Sequence, residues 1–391
     1  MKYIYLSILA VLLALYGCLL PEDPAKQRAE EADEVKGDIL VGAVAPWSGI
    51  DTMLWEGIAM AADEINEAGG LLGRKIKLIK RDDESSVEKG VLIAQEFGET
   101  SGIVAVVGHY ESFVTIPASV VYQYYGILML STVDTDPDLT DQGFPLVFRT
   151  TPDDTVYGNR LANFCLEKNY DRFVLYLHRD QYGRDFSDAF ASAAQKAGIT
   201  IVDSEAYDST TGTANFRNVL RRWKNHYSFD AILLSGELPQ AAAIIMEARR
   251  IGLEEPIFGG IALDRKELLT MLGKDIKDVF LPTNFNPYSN RPEVRKFVRK
   301  FRERHGKMPD ILAAQGYDTI RTLAYAIDHS KSTSPPQMAD ALRGAQDLKG
   351  VTGAIRFSRE GSRILNHIYG KVVENGQFKY LNQASDESGK H

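Results

Sequence analysis

Cysteine is scarce: Cys18 and Cys165 are the two in 391 residues, so no disulfide framework holds this chain together. No two glycines are separated by a single residue, which rules out the G-x-G-x-x-G dinucleotide fingerprint anywhere in the chain. The phosphate loop G-x-x-x-x-G-K-[ST] and the nucleophile elbow G-x-S-x-G are missing too. Seven histidines are scattered, without H-E-x-x-H or a His/Cys cluster at metal-ligand spacing, and no cofactor is expected. Positive charge is in deficit, with 45 Lys and Arg against 53 Asp and Glu, a net charge of −8. That balance argues against nucleic acid as a partner, which requires a basic footprint. After the N-terminus no apolar run is long enough to span a membrane.

What is present begins at that N-terminus. "MKYIYLSILAVLLALYGC" carries one Lys and then an apolar run from Tyr3 to Tyr16. The run is too short for a transmembrane helix and suits the apolar region of a secretory signal. Leu15-Tyr16-Gly17-Cys18 resembles the bacterial lipobox, which implies a signal peptide over 1–18 and lipidation of Cys18 as the first mature residue. Tyr16 departs from the small residue usual there, and simple secretion is the alternative. Residues 19–37 are polar and charged without clean periodicity, and read as a flexible tether. The last segment, 382–391, reads as a disordered tail. Cys165 stands among apolar residues at helical spacing, the setting of a buried core thiol.

The body is 44% apolar and long enough for two cores. "ILVGAVAP", "KIKLIKRDDE", "GIVAVVGH" and "GILMLS" read as strands, with helix-like segments between them. The order repeats with "RFVLYLHRD", "GITIVDSEAY", "DAILLSG" and "PIFGG". Such βα alternation predicts an α/β fold with parallel sheets covered by helices on both faces. The end differs: two helices, 292–305 and 311–327, precede hairpin-like strands in which Glu374-Asn375-Gly376 suits a tight turn. Two sets of this kind followed by helices and a hairpin suit two lobes between which the chain crosses more than once.

Six segments carry a resemblance to a known family. "APWSG", "AADEINEAGGLLGRKIKLIKRDDES", "VVGHYES", "GILMLSTVDTDPDLT", "VFRTTPDD" and "DQYGRDF" follow in order the pattern of type I periplasmic solute-binding proteins. The sequence is most similar to the leucine/isoleucine/valine-binding branch, over roughly Ile39 to Leu381. The resemblance implies two Rossmann-like lobes joined by three crossovers, near "VFRTTP", "FLPTNF" and "LKGVTG", and closing on a ligand by a hinge motion. Mapped onto this chain, one lobe comprises residues 38–151 and 284–350, the other 152–283 and 351–381.

In open parallel sheets, ligands sit beyond the carboxyl ends of the strands. The loops there are "PWSGID", "GHYESF", "STVDTD", "HRDQYG", "SGELPQ" and "GGIALD". Helix N-termini at such loops bring free N–H groups and partial positive charge that suit a carboxylate. By resemblance, Ser112 holds the ligand carboxylate, Thr135 touches carboxylate and ammonium, Val133 contributes backbone, and Tyr182 closes from the second lobe. Without the family register, Ser112 reads as a helix cap and Thr135 as a turn former. The acid that usually pairs the ammonium falls on Ala262, with Asp264 two residues on, and further acids stand at Glu111, Asp134 and Glu237. Either the pairing acid has moved, or the ligand lacks an α-amine. Trp47 stands either at the cleft lip or in plain packing, and Trp55 reads as filler. His109 reads as a polar wall residue without a base or nucleophile partner.

The implied function is a monomeric, non-enzymatic receptor at the periplasmic or cell surface, lipid-anchored to a membrane. It captures an amino acid or a small carboxylate or amide and delivers it to an ABC permease. A ligand-sensing lipoprotein of the same fold, signalling to a chemoreceptor, kinase or envelope enzyme, is the alternative; an exported enzyme is a distant third.

Overall fold

The computed structural model describes residues 23–381 apart from 51, 347 and 366. The signal-like segment with Cys18 and the tail 382–391 lie outside the described residues. Strands β1 (Ile39–Ala45), β2 (Ile76–Asp82), β3 (Ile103–Gly108), β4 (Leu128–Ser131) and β5 (Val147–Arg149) form a parallel sheet in the order β2-β1-β3-β4-β5. Strand β3, IVAVVG, is buried along its whole length, as a strand covered on both faces must be.

A second sheet contains β6 (Arg172–His178), β7 (Thr200–Tyr207), β8 (Ala231–Ser235), β9 (Ile257–Gly259) and β10 (Val279–Thr283), all parallel. Strands β11 (Leu348–Gly350) and β12 (Gly353–Ile355) make a separate two-stranded ribbon. Strand β13 (Tyr369–Glu374) then pairs antiparallel with β10, and β14 (Gln377–Tyr380) antiparallel with β13, at the edge of the second sheet. The turn between them has Asn375 at φ 53° and Gly376 at φ 71°, both in the left-handed region that a two-residue hairpin requires.

Alternation along the strands divides each lobe into two cores. On β6, Phe173 and Leu175 face one core while Val174 and Tyr176 face the other. Cys165 lies in the first of these, fully buried, and burial pushes its thiol pKa up. The chain leaves the first sheet after β5, returns after β10 through the helices Pro292–His305, Ile311–Ser330 and Pro335–Arg343, and leaves again after β12. The return is secured by the close approach of helix Ile311–Ser330 to helix Leu54–Glu67. Gly57 makes that possible, because a Cβ there would stand 2.0 Å from the Ala313 carbonyl oxygen.

One expectation needs correction. Within the segment read as a flexible tether, residues 24–31 form a helix, capped by Asp23 and opened by Pro24. Its Arg28 guanidinium donates to the carbonyl oxygens of Gly98, Ile103 and Tyr125. Asp33 accepts from Ser332 Oγ and from the Thr333 amide. The helix has a weak apolar face, so polar docking contacts hold it rather than the periodicity that sequence inspection seeks.

Gly57→Ala should destabilise the protein by about 1–3 kcal/mol through overpacking against Ala313. Urea unfolding checks this; an unchanged midpoint would mean the two helices do not approach so closely.

Candidate functional site

The carboxyl ends of both sheets face a common cleft enclosing about 820 Å³, open solvent at its mouth included. From the first lobe, residues 110–113 follow β3, residues 133–135 follow β4, and Ile311, Leu312 and Gln315 stand on the first turns of the late helix. From the second, residues 180–182 follow β6, Glu237 follows β8, and Ile261, Ala262, Asp264 and Arg265 follow β9. Ser112, Thr135, Val133, Tyr182, Glu111, Asp134, Glu237 and Asp264 are thus brought together, although the sequence spreads them over some 150 positions.

Trp47 is not among them. Its indole N–H donates to the Arg81 carbonyl at 2.8 Å, and its ring meets Trp55 edge-on at 5.6 Å. Lys80 Nζ lies 4.6 Å from one ring centre and 4.4 Å from the other. This is the packing alternative, not the cleft lip. The reason is its loop: a turn after β1 folds the ring back onto β2.

The acids fall into two groups. Asp264, 6% exposed, accepts from the ammonium of Lys371 on β13, and Lys371 is itself 2% exposed. Burial holds the Lys371 ammonium well below its usual pKa. The acid nearest the family's ammonium-pairing register is therefore already engaged, by a residue 107 positions away. Asp180 is engaged likewise: it caps helix Gln181–Ala197 through the Gly183 amide at 2.7 Å and pairs with His178 Nδ1 at 2.7 Å.

The second group has no ion-pair partner among the described residues, whereas Asp264 has one and leaves only its Oδ2 unmatched. Ser112 Oγ donates to Asp134 Oδ1 at 2.7 Å, and the Asp136 amide donates to the same oxygen at 2.8 Å. Asp134 is 1% exposed, and its Oδ2 has no partner among the described residues. Ser85 Oγ donates to Glu111 Oε1 at 2.7 Å, while Glu111 Oε2 is buried without a partner. Burial raises the pKa of both carboxyls, against the lowering effect of these hydrogen bonds. The Glu237 pKa is pushed up to about 7, first by burial and then by Asp180 and Glu111, with Arg265 offsetting part of the shift.

The uncharged candidates divide similarly. Thr135 is nearly buried, and its carbonyl accepts from the Asp154 amide at 2.9 Å. Tyr182 stacks on Phe186, and its hydroxyl accepts from the Ala262 amide at 3.3 Å, which ties the Tyr182 loop to the loop after β9. Val133 is half-buried at the cleft wall.

His109 is no wall residue. It is fully buried, with Nδ1 at 2.6 Å from Asp83 Oδ2 and Nε2 at 3.1 Å from Tyr122 Oη. Asp83 Oδ1 in turn accepts from the Ser85 amide, so this brace sits behind the Ser85–Glu111 contact.

Sequence inspection missed Arg265, Tyr110 and Gln315. Arg265 stands next to Asp264 in a loop already singled out, and its buried Nε has no partner. Gln315 gave no signal, because it lies within an apolar helical pattern far along the chain. Its amide donates to Thr151 Oγ1 at 3.0 Å, where the chain first crosses between lobes.

Two α/β lobes with a polar cleft between their strand ends have the architecture of a solute-binding protein. The chain belongs to the periplasmic binding protein family, whose sequence model matches residues 39–377, and within it to the type I, branched-chain amino acid group. Its members are exported binding proteins of ABC transporters, not enzymes. The chain is 27% identical over 354 residues to Leu/Ile/Val-binding protein homolog 1 of Brucella suis, covering 88% of this chain and 94% of that one. It is 25% identical over 331 residues to a leucine-, isoleucine-, valine-, threonine- and alanine-binding protein of Pseudomonas aeruginosa, covering 84% and 87%. Among solved structures, a substrate-binding protein of Desulfitobacterium hafniense in complex with Leu superposes with a TM-score of 0.80 at 35% identity, covering 88% and 100%.

Folded Glu237 keeps its proton to about pH 7, whereas unfolding returns it to an ordinary 4.5. Between these values the folded state binds more protons, so this group's contribution to stability falls as pH rises. Glu237→Gln removes that loss, and the melting temperature of the variant minus that of the parent should grow from about pH 5 to about pH 8 in ligand-free protein. A difference that stays flat across the range would contradict the burial of Glu237.

Proposed function

We propose that this protein is an extracytoplasmic receptor that captures an amino acid in the interlobe cleft by hinge closure and delivers it to an ABC importer. The carrying observation is the cleft itself, to which both lobes contribute polar groups at strand ends and helix starts. The naming of the relatives as Leu/Ile/Val-binding proteins, and the Leu complex of the Desulfitobacterium hafniense protein, support an amino acid over an amide or a simple carboxylate. Ser112, Thr135, Val133 and Tyr182 are the proposed ligand contacts, with Glu111, Asp134 and Glu237 as acids beside them. Ser112 already donates to Asp134, so its part in holding a ligand carboxylate falls to its backbone N–H at the helix start. The two lobes comprise residues 38–151 with 284–350, and 152–283 with 351–381. The mature receptor is a monomer, held to a membrane by lipid on Cys18 after removal of the signal peptide.

A thermal-shift screen of the purified protein against amino acids, amides and small carboxylates tests the reading. Ligand at one hundred times its dissociation constant should stabilise the protein by about 2.7 kcal/mol. No shift with any of these compounds would overturn it. For the anchor, Cys18→Ser should move the protein from the membrane fraction to the soluble fraction of the cell. Continued membrane retention of that variant would remove the lipid from the account.

A further inference from the structure

The charges lining the cleft do not balance, and the imbalance has a direction. Asp264 is paired with Lys371, and Asp180 caps helix Gln181–Ala197 through the Gly183 amide, with His178 Nδ1 at 2.7 Å. Glu111, Asp134 and Glu237 remain. Each of the first two has a buried carboxylate oxygen without a partner, as Asp264 has, but unlike Asp264 none of the three carboxylates is in an ion pair among the described residues. The cation lining the cleft is Arg265, and it already faces Glu267 at 3.5 Å.

The placement of these acids narrows what can fill the space. Glu111 opens the helix after β3 in the first lobe, and Glu237 follows β8 in the second. Both line the same cleft from opposite lobes, and the charge of Glu111 reaches Glu237 and raises its pKa. Asp134, joined to Ser112, stands beside Thr135 at the mouth of β4. An amino acid with an apolar side chain brings one positive and one negative charge. It therefore leaves the sum unchanged, and its side chain would cover carboxylate oxygens with hydrocarbon. Burying an ionised carboxylate that way is strongly unfavourable. A second cationic group on the ligand removes the conflict.

We propose that the ligand is a cationic amino acid, its side-chain ammonium or guanidinium seated between Glu111 and Glu237 and its α-ammonium near Asp134. This rests on the reading of the protein as an amino-acid receptor and narrows the ligand class. The Glu237 carboxyl faces Asp180 from the start of helix Gln181–Ala197, Glu111 from the helix after β3, and Arg265 from the loop after β9. A proton can stand in for the cation while the cleft is empty, and ligand binding displaces it.

Titration calorimetry on the purified protein with lysine, ornithine and arginine against leucine, isoleucine and valine provides the test. At least one cationic amino acid should bind more tightly than the neutral set by about tenfold or more, with proton release near neutral pH. Glu237→Gln and, independently, Glu111→Gln should each reduce that preference by about tenfold, provided circular dichroism shows the variant folded. Tighter binding of leucine, isoleucine or valine would overturn this proposal and leave the receptor reading standing. Binding of 1,4-diaminobutane as tight as that of lysine would overturn the amino-acid part, because no carboxylate would then be read. If no compound of either amino-acid set binds, the underlying amino-acid reading fails.

Discussion

Two largely parallel sheets, each covered by helices on both faces, leave only their strand ends free to meet a solute, and the functional features of this protein follow from that constraint. A buried strand such as β3 carries no polar side chain, so chemistry has to begin where the strand stops. That is why Tyr110, Glu111 and Ser112 follow IVAVVG directly, and why Val133 to Thr135 follow LMLS. The second sheet repeats the arrangement from the opposite side. The cleft lies between the two lobes, with Ile311 and Leu312 of a first-lobe core at its wall.

Within the cleft, tertiary contacts sort acids that look equivalent along the chain. Asp264 and Glu237 both follow strands of the second sheet. The chain brings β13 back antiparallel to β10, and with it Lys371, whose ammonium reaches Asp264. Among the described residues no ion pair forms at Glu237, which feels Arg265 only at longer range. Hydrogen bonds divide Glu111 further, since one oxygen is fixed by Ser85 and the other is left open. The brace of Tyr122, His109 and Asp83 behind Ser85 gives that contact a rigid backing. The histidine that invited a chemical reading is thus part of the scaffold.

The βα rhythm, the two sets of strands and the hairpin turn at Asn375-Gly376 were legible because each is written in local periodicity or turn chemistry. Eight of the nine cleft candidates do line the cleft: Ser112, Thr135, Val133 and Tyr182 were legible through the family resemblance, and Glu111, Asp134, Glu237 and Asp264 as acids in loops after apolar strands. Trp47 obeyed the same rule but turned back onto β2, because the placement of an aromatic ring depends on what it can pack against. The helix at Pro24–Glu31 escaped notice for the opposite reason. Its apolar face is slight, and it is held by Arg28 on carbonyl groups that the chain supplies about 70 to 100 residues later.

Local sequence by itself determined the class of fold, the positions of the loops and the types of polar group they carry. These follow from apolar periodicity, glycine and proline punctuation, and short-range caps. Only the tertiary structure decided which of those groups are already satisfied. Whether a carboxylate is free to meet a ligand depends on charges and donors from distant segments: Lys371 for Asp264, Ser112 for Asp134, Ser85 for Glu111. Electrostatic partnership acts through space, and its range in sequence has no bound. The imbalance of charge in the cleft is therefore a property of the folded chain, although every residue responsible for it stands in plain view along the sequence.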